Sequence, residues 1–171
     1  MENMQKTSQN ETTTHLKVGD KAPDFSGIDQ NGKKIALKDF EGKRLVLYFY
    51  PKDDTAGCTE QAKNLRDNYE TLKQKNIEVV GVSADDEESH QKFVQKNNLP
   101  FRLIADTNKK IINAFDVWGE KIVSDKKQDG ILRTTFIIDG TGTIENIISK
   151  VETSSHTEQI LAAINSLTNK N

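Results

Sequence analysis

Apolar residues follow two rhythms along this chain. Short unbroken or alternating runs, rich in β-branched and aromatic residues, predict strands: KRLVLYFY (43–50), IEVVGVSA (77–84), PFRLIAD (100–106), RTTFIID (133–139) and TIENIISKV (143–151). Between them the spacing changes to three and four. Ala62, Leu65, Tyr69 and Leu72 make one stripe, which predicts a helix from about Cys58 to Lys75. The segment SADDEESHQKFVQKNN (83–98) predicts a second helix, with Asp85, Asp86, Glu87 and Glu88 at its positive end. NKKIINAF (108–115) reads as a short helix, and Ile160, Ile164 and Leu167 share one face of a closing helix. Asn31-Gly32, between two short alternating runs, predicts a hairpin with a type I′ turn, and Gly140-Thr141-Gly142 predicts another hairpin turn. Strands alternating with helices, followed by a hairpin, imply an α/β sandwich: a central mixed sheet flanked by helices, parallel at its centre with antiparallel strands added.

Length and composition narrow the picture. A chain of 171 residues fits one domain. The polar stretch MENMQKTSQNETTTH (1–15) reads as a flexible N-terminal tail, leaving 16–171 as a single folded domain. It has no apolar centre of the kind a secretory signal needs. The longest apolar run, Leu45–Tyr50, has six residues, whereas a membrane span needs about 20. A net charge of −2 and an isoelectric point near 6.0 give no basic face for nucleic acid. One cysteine permits neither an internal disulfide nor a Cys-rich zinc site. The expectation is a cytoplasmic protein with no membrane or nucleic-acid partner. His15, His90 and His156 lie far apart without ligand spacing and are expected as isolated surface residues, so no metal is expected.

The chemistry concentrates at Cys58, in LYFYPKDDTAGCTEQAK (47–63), where a buried strand turns into a helix. With Asp54 or Thr55 as the cap, Cys58 falls in the first helical turn, where unpaired N–H groups and the positive dipole end favour a thiolate. Gly57 permits close approach to the sulfur. The Thr55 hydroxyl, three residues earlier, is expected to donate to the sulfur or to a bound oxygen. Pro51 ends the strand, removes a donor, and is expected to cover the site. Position alone leaves two readings open, since a lone cysteine is often a small buried hydrophobe.

The wider pattern selects between them. Pro51, Thr55 and Cys58 stand as P-x-x-x-T-x-x-C after the YFY strand, which resembles the peroxidatic motif of peroxiredoxins, most closely the Q-type branch, also called bacterioferritin comigratory protein. VGDKAPDFSGIDQNGKKIALKDFEGKRLVLYFYP, VWGEK (117–121) and GILRTTFIIDGTGTIE (130–145) resemble the family's other blocks in the same order. The resemblance implies a thioredoxin-like fold, an AhpC/TSA-type domain, and a thiol-specific peroxidase that reduces hydrogen peroxide and organic hydroperoxides through a sulfenic acid, with an antioxidant role. It implies that Cys58 is the nucleophile, Thr55 the hydroxyl that orients peroxide, Pro51 the shield, and Arg133 the guanidinium that holds the thiolate and the transition state. It makes Gln61 a supporting neighbour. No cofactor is implied.

Many Q-type members carry a resolving cysteine five residues after the peroxidatic one; here that position is Lys63. The chain therefore resembles a one-cysteine peroxiredoxin recycled by an external thiol: a thioredoxin-type donor, a glutaredoxin or a small thiol. The resemblance leans towards a monomer, while a Cys58–Cys58 link between two chains is also allowed by the count. Two alternatives stand beside this reading. One is a single-cysteine redox sensor that oxidises without sustained turnover. The other is a silent thioredoxin-fold module, against which the joint presence of Pro51, Thr55 and Arg133 argues.

Overall fold

The computed structural model describes residues 13–169. Nine strands and five helices follow in order: β1 (Ser26–Ile28), β2 (Lys34–Ala36), a 3-10 turn (Leu37–Phe40), β3 (Arg44–Phe49), α1 (Ala56–Asp67), α2 (Tyr69–Gln74), β4 (Ile77–Ser83), α3 (Glu87–Asn97), β5 (Arg102–Ala105), α4 (Lys110–Ala114), β6 (Trp118–Val123), β7 (Lys126–Ile131), β8 (Thr134–Ile138), β9 (Ile144–Ile148) and α5 (His156–Asn169). The central sheet has the strand order β5-β4-β3-β8-β9. Strands β3, β4 and β5 run parallel, and β8 and β9 add antiparallel partners, so the sheet is mixed and the expected fold class is the one observed.

Strand alternation sorts β3 onto two cores. Leu45, Leu47 and Phe49 face a cluster with Phe25, Ile35, Phe40, Ile112, Phe115 and Phe136. Val46, Tyr48 and Tyr50 face the other side, with Ala62, Leu65 and Ile160 from the helices and the sole cysteine, Cys58. Every residue of Leu45–Tyr50 is at most 1% exposed, which explains the unbroken apolar run: both faces are covered. Each such side chain contributes about 1.5–3 kcal/mol by leaving water.

Three expectations need correction. The helix expected over 58–75 is broken at Asn68 (φ −112°, ψ 10°), whose side-chain amide donates to the Asn64 carbonyl at 2.8 Å. A side chain that binds the backbone four residues back competes with the helical ladder. The β1–β2 turn is not type I′. The Asp29 carboxylate accepts from Asn31 N at 2.8 Å and Lys33 N at 3.0 Å, and only Gly32 (φ 76°) takes the left-handed conformation. The I′ signature, two successive positive φ angles in a two-residue loop, occurs instead at Ser124 and Asp125 (52° and 65°), which join β6 to β7. That hairpin was not expected from the sequence at all.

Thr14 and His15, assigned to the tail, are tied to the domain. The Thr14 hydroxyl donates to Phe115 O at 2.7 Å, and His15 N donates to the Asp116 carboxylate at 2.7 Å. Residues 1–12 of the expected tail and the last two residues lie outside the described residues. On α5, Ile160 and Ile164 are buried as expected; the Leu167 side chain is outside what is described. Among the described residues no helix is long and apolar enough to cross a membrane.

Candidate active site

Strand β3 delivers the chain to one end of the sheet, where the loop 51–55 hands it to α1. Thr55 is the N-cap (φ −89°, ψ 158°), and Cys58 is the third residue of the helix. Thr59 N–H is taken by Thr55 O at 2.9 Å, so the N–H groups just before it have no partner inside the helix. Cys58 is 1% exposed. The half-buried Pro51 opens the connecting loop beside the buried strand end.

Arg133 comes from the far side of the chain. β8 pairs antiparallel with β3, with Phe49 opposite Thr134, so the residue before Thr134 stands beside the point where β3 gives way to the loop. The Arg133 guanidinium donates from Nη2 to Cys58 Sγ at 3.4 Å and from Nη1 to Gln61 Oε1 at 2.6 Å. Gln61 is one turn after Cys58 and fully buried. A Cβ at Gly57 would stand 3.4 Å from Arg133 Nη2, an ordinary van der Waals contact, so the guanidinium passes close beside the glycine. Cys58, Gln61 and Arg133, expected together, are together.

Thr55 behaves differently from expectation. Its hydroxyl donates to Lys52 O at 2.8 Å, so its proton is committed to the loop and its lone pairs remain as acceptors. The loop itself is pinned by Asp53. Its carboxylate accepts from Tyr50 OH at 2.6 Å and Ser89 Oγ at 2.8 Å, and faces His90 Nδ1 at 2.7 Å. Asp53 N–H in turn donates to the Asp85 carboxylate at 2.8 Å, which also accepts from Ser83 Oγ at 2.6 Å. Asp54 holds φ 64°, and Lys96 reaches its carboxylate at 2.9 Å.

His90 and His156 were expected at the surface, and both are fully buried. His90 Nε2 meets Ile104 O at 2.9 Å and Nδ1 meets Asp53, so both ring nitrogens face acceptors and both must donate. Burial opposes the charged ring, but the bond and charge of Asp53 outweigh it and hold its pKa above the ordinary histidine value. His156 sits behind Arg133, with Nε2 2.8 Å from Thr135 Oγ1 and Nδ1 2.8 Å from Gln159 Oε1. Burial pushes its pKa down, Gln159 opposes that, and the Arg133 charge adds to it. Asp53, Asp85 and His90 are the group, among the described residues, whose ligand-type atoms gather within 4.8 Å. Their donors and acceptors already satisfy one another, so protons and hydroxyls account for the cluster without an ion.

Lys121, on β6, was also missed. Its ammonium donates to Ile131 O at 2.9 Å. Burial and then the Arg133 charge lower its pKa, and Cys58 opposes them. Two cationic side chains thus bear on the sulfur, one from β6 and one from the residue just before β8. Trp118 packs against the core as expected, with Lys109 Nζ 4.8 Å from its ring centroid. Lys63 is exposed on α1.

The family model described as AhpC/TSA matches residues 18–147. Peroxiredoxin Bcp of Escherichia coli K12 is 44% identical over 146 residues, covering 85% of this chain and 94% of that protein. Peroxiredoxin Bcp of Bacillus subtilis is 40% identical over 155 residues, covering 91% and 99%. Among solved structures, a Cys-to-Ser mutant of Xylella fastidiosa PrxQ superposes with a TM-score of 0.84 at 30% identity, covering 91% of this chain and 99% of that one. A yeast mitochondrial 1-Cys peroxiredoxin, described with thiol resolution through glutathione and thioredoxin systems, superposes with a TM-score of 0.75 at 26% identity, covering 91% and 78%.

Proposed function

The chain belongs to the AhpC/TSA family as a peroxiredoxin, and from that premise we propose that Cys58 is its peroxidatic nucleophile, served by Arg133, Thr55 and Pro51. The activity is that of a thiol-dependent peroxidase, with a hydroperoxide as substrate and a thiol as reductant, and the only thiol in the chain is Cys58. The observation that carries the assignment is the Arg133 Nη2 contact with Cys58 Sγ at 3.4 Å.

The chemistry follows from the arrangement. The Cys58 thiolate attacks one peroxide oxygen. An S–O bond forms and the O–O bond breaks. Its electron pair leaves with the second oxygen, which takes a proton and departs as water or an alcohol, and the sulfur becomes a sulfenic acid. Negative charge moves from sulfur towards oxygen during this step. The Arg133 guanidinium and the first-turn N–H groups of α1 are donors set in advance around that charge. Thr55, its proton bound to Lys52 O, presents lone pairs that accept the O–H of the incoming hydroperoxide and so orient it. Pro51 excludes water from the buried sulfur.

Lacking a second cysteine, the sulfenic acid is reduced by an outside thiol, for which we favour a thioredoxin-type donor; the yeast one-cysteine relative, described with glutathione and thioredoxin systems, supports a donor of that class. The same reading makes the protein a cytoplasmic monomer. Peroxide turnover with thioredoxin, glutaredoxin and small thiols tests it. The expected result is sustained consumption with at least one donor by wild type and none by Cys58→Ser. Consumption that stops after one equivalent with every donor would replace the enzyme by a single-use sensor.

A further inference from the structure

Among the described residues, two buried side-chain atoms lack a hydrogen-bond partner, the Tyr48 hydroxyl and Gln61 Nε2, and both belong to the surroundings of Cys58. The Gln61 amide is oriented by Arg133, which donates to its Oε1 at 2.6 Å while donating to Cys58 Sγ at 3.4 Å. Its NH2 end is thereby turned into the interior with two protons and no acceptor. Tyr48 lies in the same packed cluster as Cys58 and Ala62, its ring stacked on Tyr50 at 5.4 Å. Burial raises its phenol pKa well above the ordinary value, and the charge that adds most to this is Cys58, ahead of Asp53. A phenylalanine would fill the same space without an unsatisfied hydroxyl.

The reaction introduces one new acceptor at this point, the oxygen left on the Cys58 sulfur. We propose that Tyr48 OH and Gln61 Nε2 form a binding site for the oxygen of the Cys58 sulfenic acid, reached by rotation of the oxidised side chain. Two donors that are unpaired in the thiol form become paired in the oxidised form. They hold the oxidised cysteine while the chain, with no second cysteine, awaits its external thiol. The inference rests on Cys58 being the peroxidatic residue.

The test compares thiol and stoichiometrically oxidised forms of wild type, Tyr48→Phe and Gln61→Glu. The first variant keeps the ring and loses the hydroxyl. The second keeps an acceptor for Arg133 and loses the NH2 donor. Oxidation is verified by dimedone labelling and mass. In wild type, conversion of thiol to sulfenic acid is expected to raise the melting temperature by about 4 °C, and each variant to lose about half of that rise. The sulfenic acid should also disappear about fivefold faster in each variant, the equivalent of one lost hydrogen bond. An equal rise in all three proteins, or no rise in wild type, overturns the oxygen site alone. Absence of a dimedone adduct in wild type overturns the assignment of Cys58 itself.

Discussion

The two buried histidines flank the same site, and their proton affinities shift in opposite directions. His90 braces the loop from the α3 side and faces a carboxylate, a carbonyl and the hydroxyl side of Tyr50. His156 braces the Arg133 strand from α5 and faces a hydroxyl and an amide, with a guanidinium nearby. Burial disfavours the cation in both places equally in kind. What differs is the partner: Asp53 supplies a full negative charge to one, and Arg133 a positive charge to the other. Burial lowers the proton affinity of both rings; at His90 the Asp53 carboxylate outweighs it, and at His156 burial prevails, with Arg133 adding to it.

This difference fixes two opposite pH dependences. The folded pKa of His90 is raised above its ordinary 6.5. Its contribution is therefore complete below about 6.5 and is lost as pH rises through the raised value. That of His156 is lowered below 6.5, so its contribution is complete above about 6.5 and is lost as pH falls through the lowered value. Asp53 and Asp85 are the charged groups facing His90, and Arg133 is the one bearing on His156.

The largest way to break the contrast is Asp53→Ala, which leaves a buried imidazolium without its counter-charge. Urea unfolding at pH 6 should show a loss of about 3–5 kcal/mol, shrinking as pH rises and the ring can go neutral. The peroxide step should slow with it, because the 51–55 loop loses its pin. His90→Gln keeps a hydrogen-bond donor and removes the charge. A loss of about 2 kcal/mol is expected below pH 6.5, falling at alkaline pH; a loss that grows with pH would reverse the protonation assigned to His90. The smallest change is Thr135→Val, which strips His156 Nε2 of its partner. About 1 kcal/mol should be lost at pH 8, and a measured His156 pKa of 6.5 or above in wild type would contradict the lowered value.

Much of this was legible in the sequence. The fully apolar run of β3 announces a strand covered on both faces, and Pro51, Thr55, Cys58 and Arg133 mark one end of it. The histidines were not legible, for a specific reason. On α3 the buried stripe is His90, Phe93 and Asn97, so two of its positions are polar and the stripe reads as surface until Asp53 and the Phe93 carbonyl supply partners. β7 was hidden for the opposite reason. Its first four residues are exposed, and a Ser-Asp pair makes its turn without the glycine that usually announces one. Lys121, which reaches inward from that hairpin, was lost with it.

Cys58 and Arg133 are 75 positions apart, and only the docking of β8 against β3 brings them together. On a ribosome adding about 5–20 residues per second, the cysteine is therefore made seconds before its arginine exists. Through that interval the nascent chain holds an ordinary thiol in an unfinished sheet. On the role proposed for Arg133, reactivity waits until the fourth strand of the sheet to be made, β8, closes the circuit.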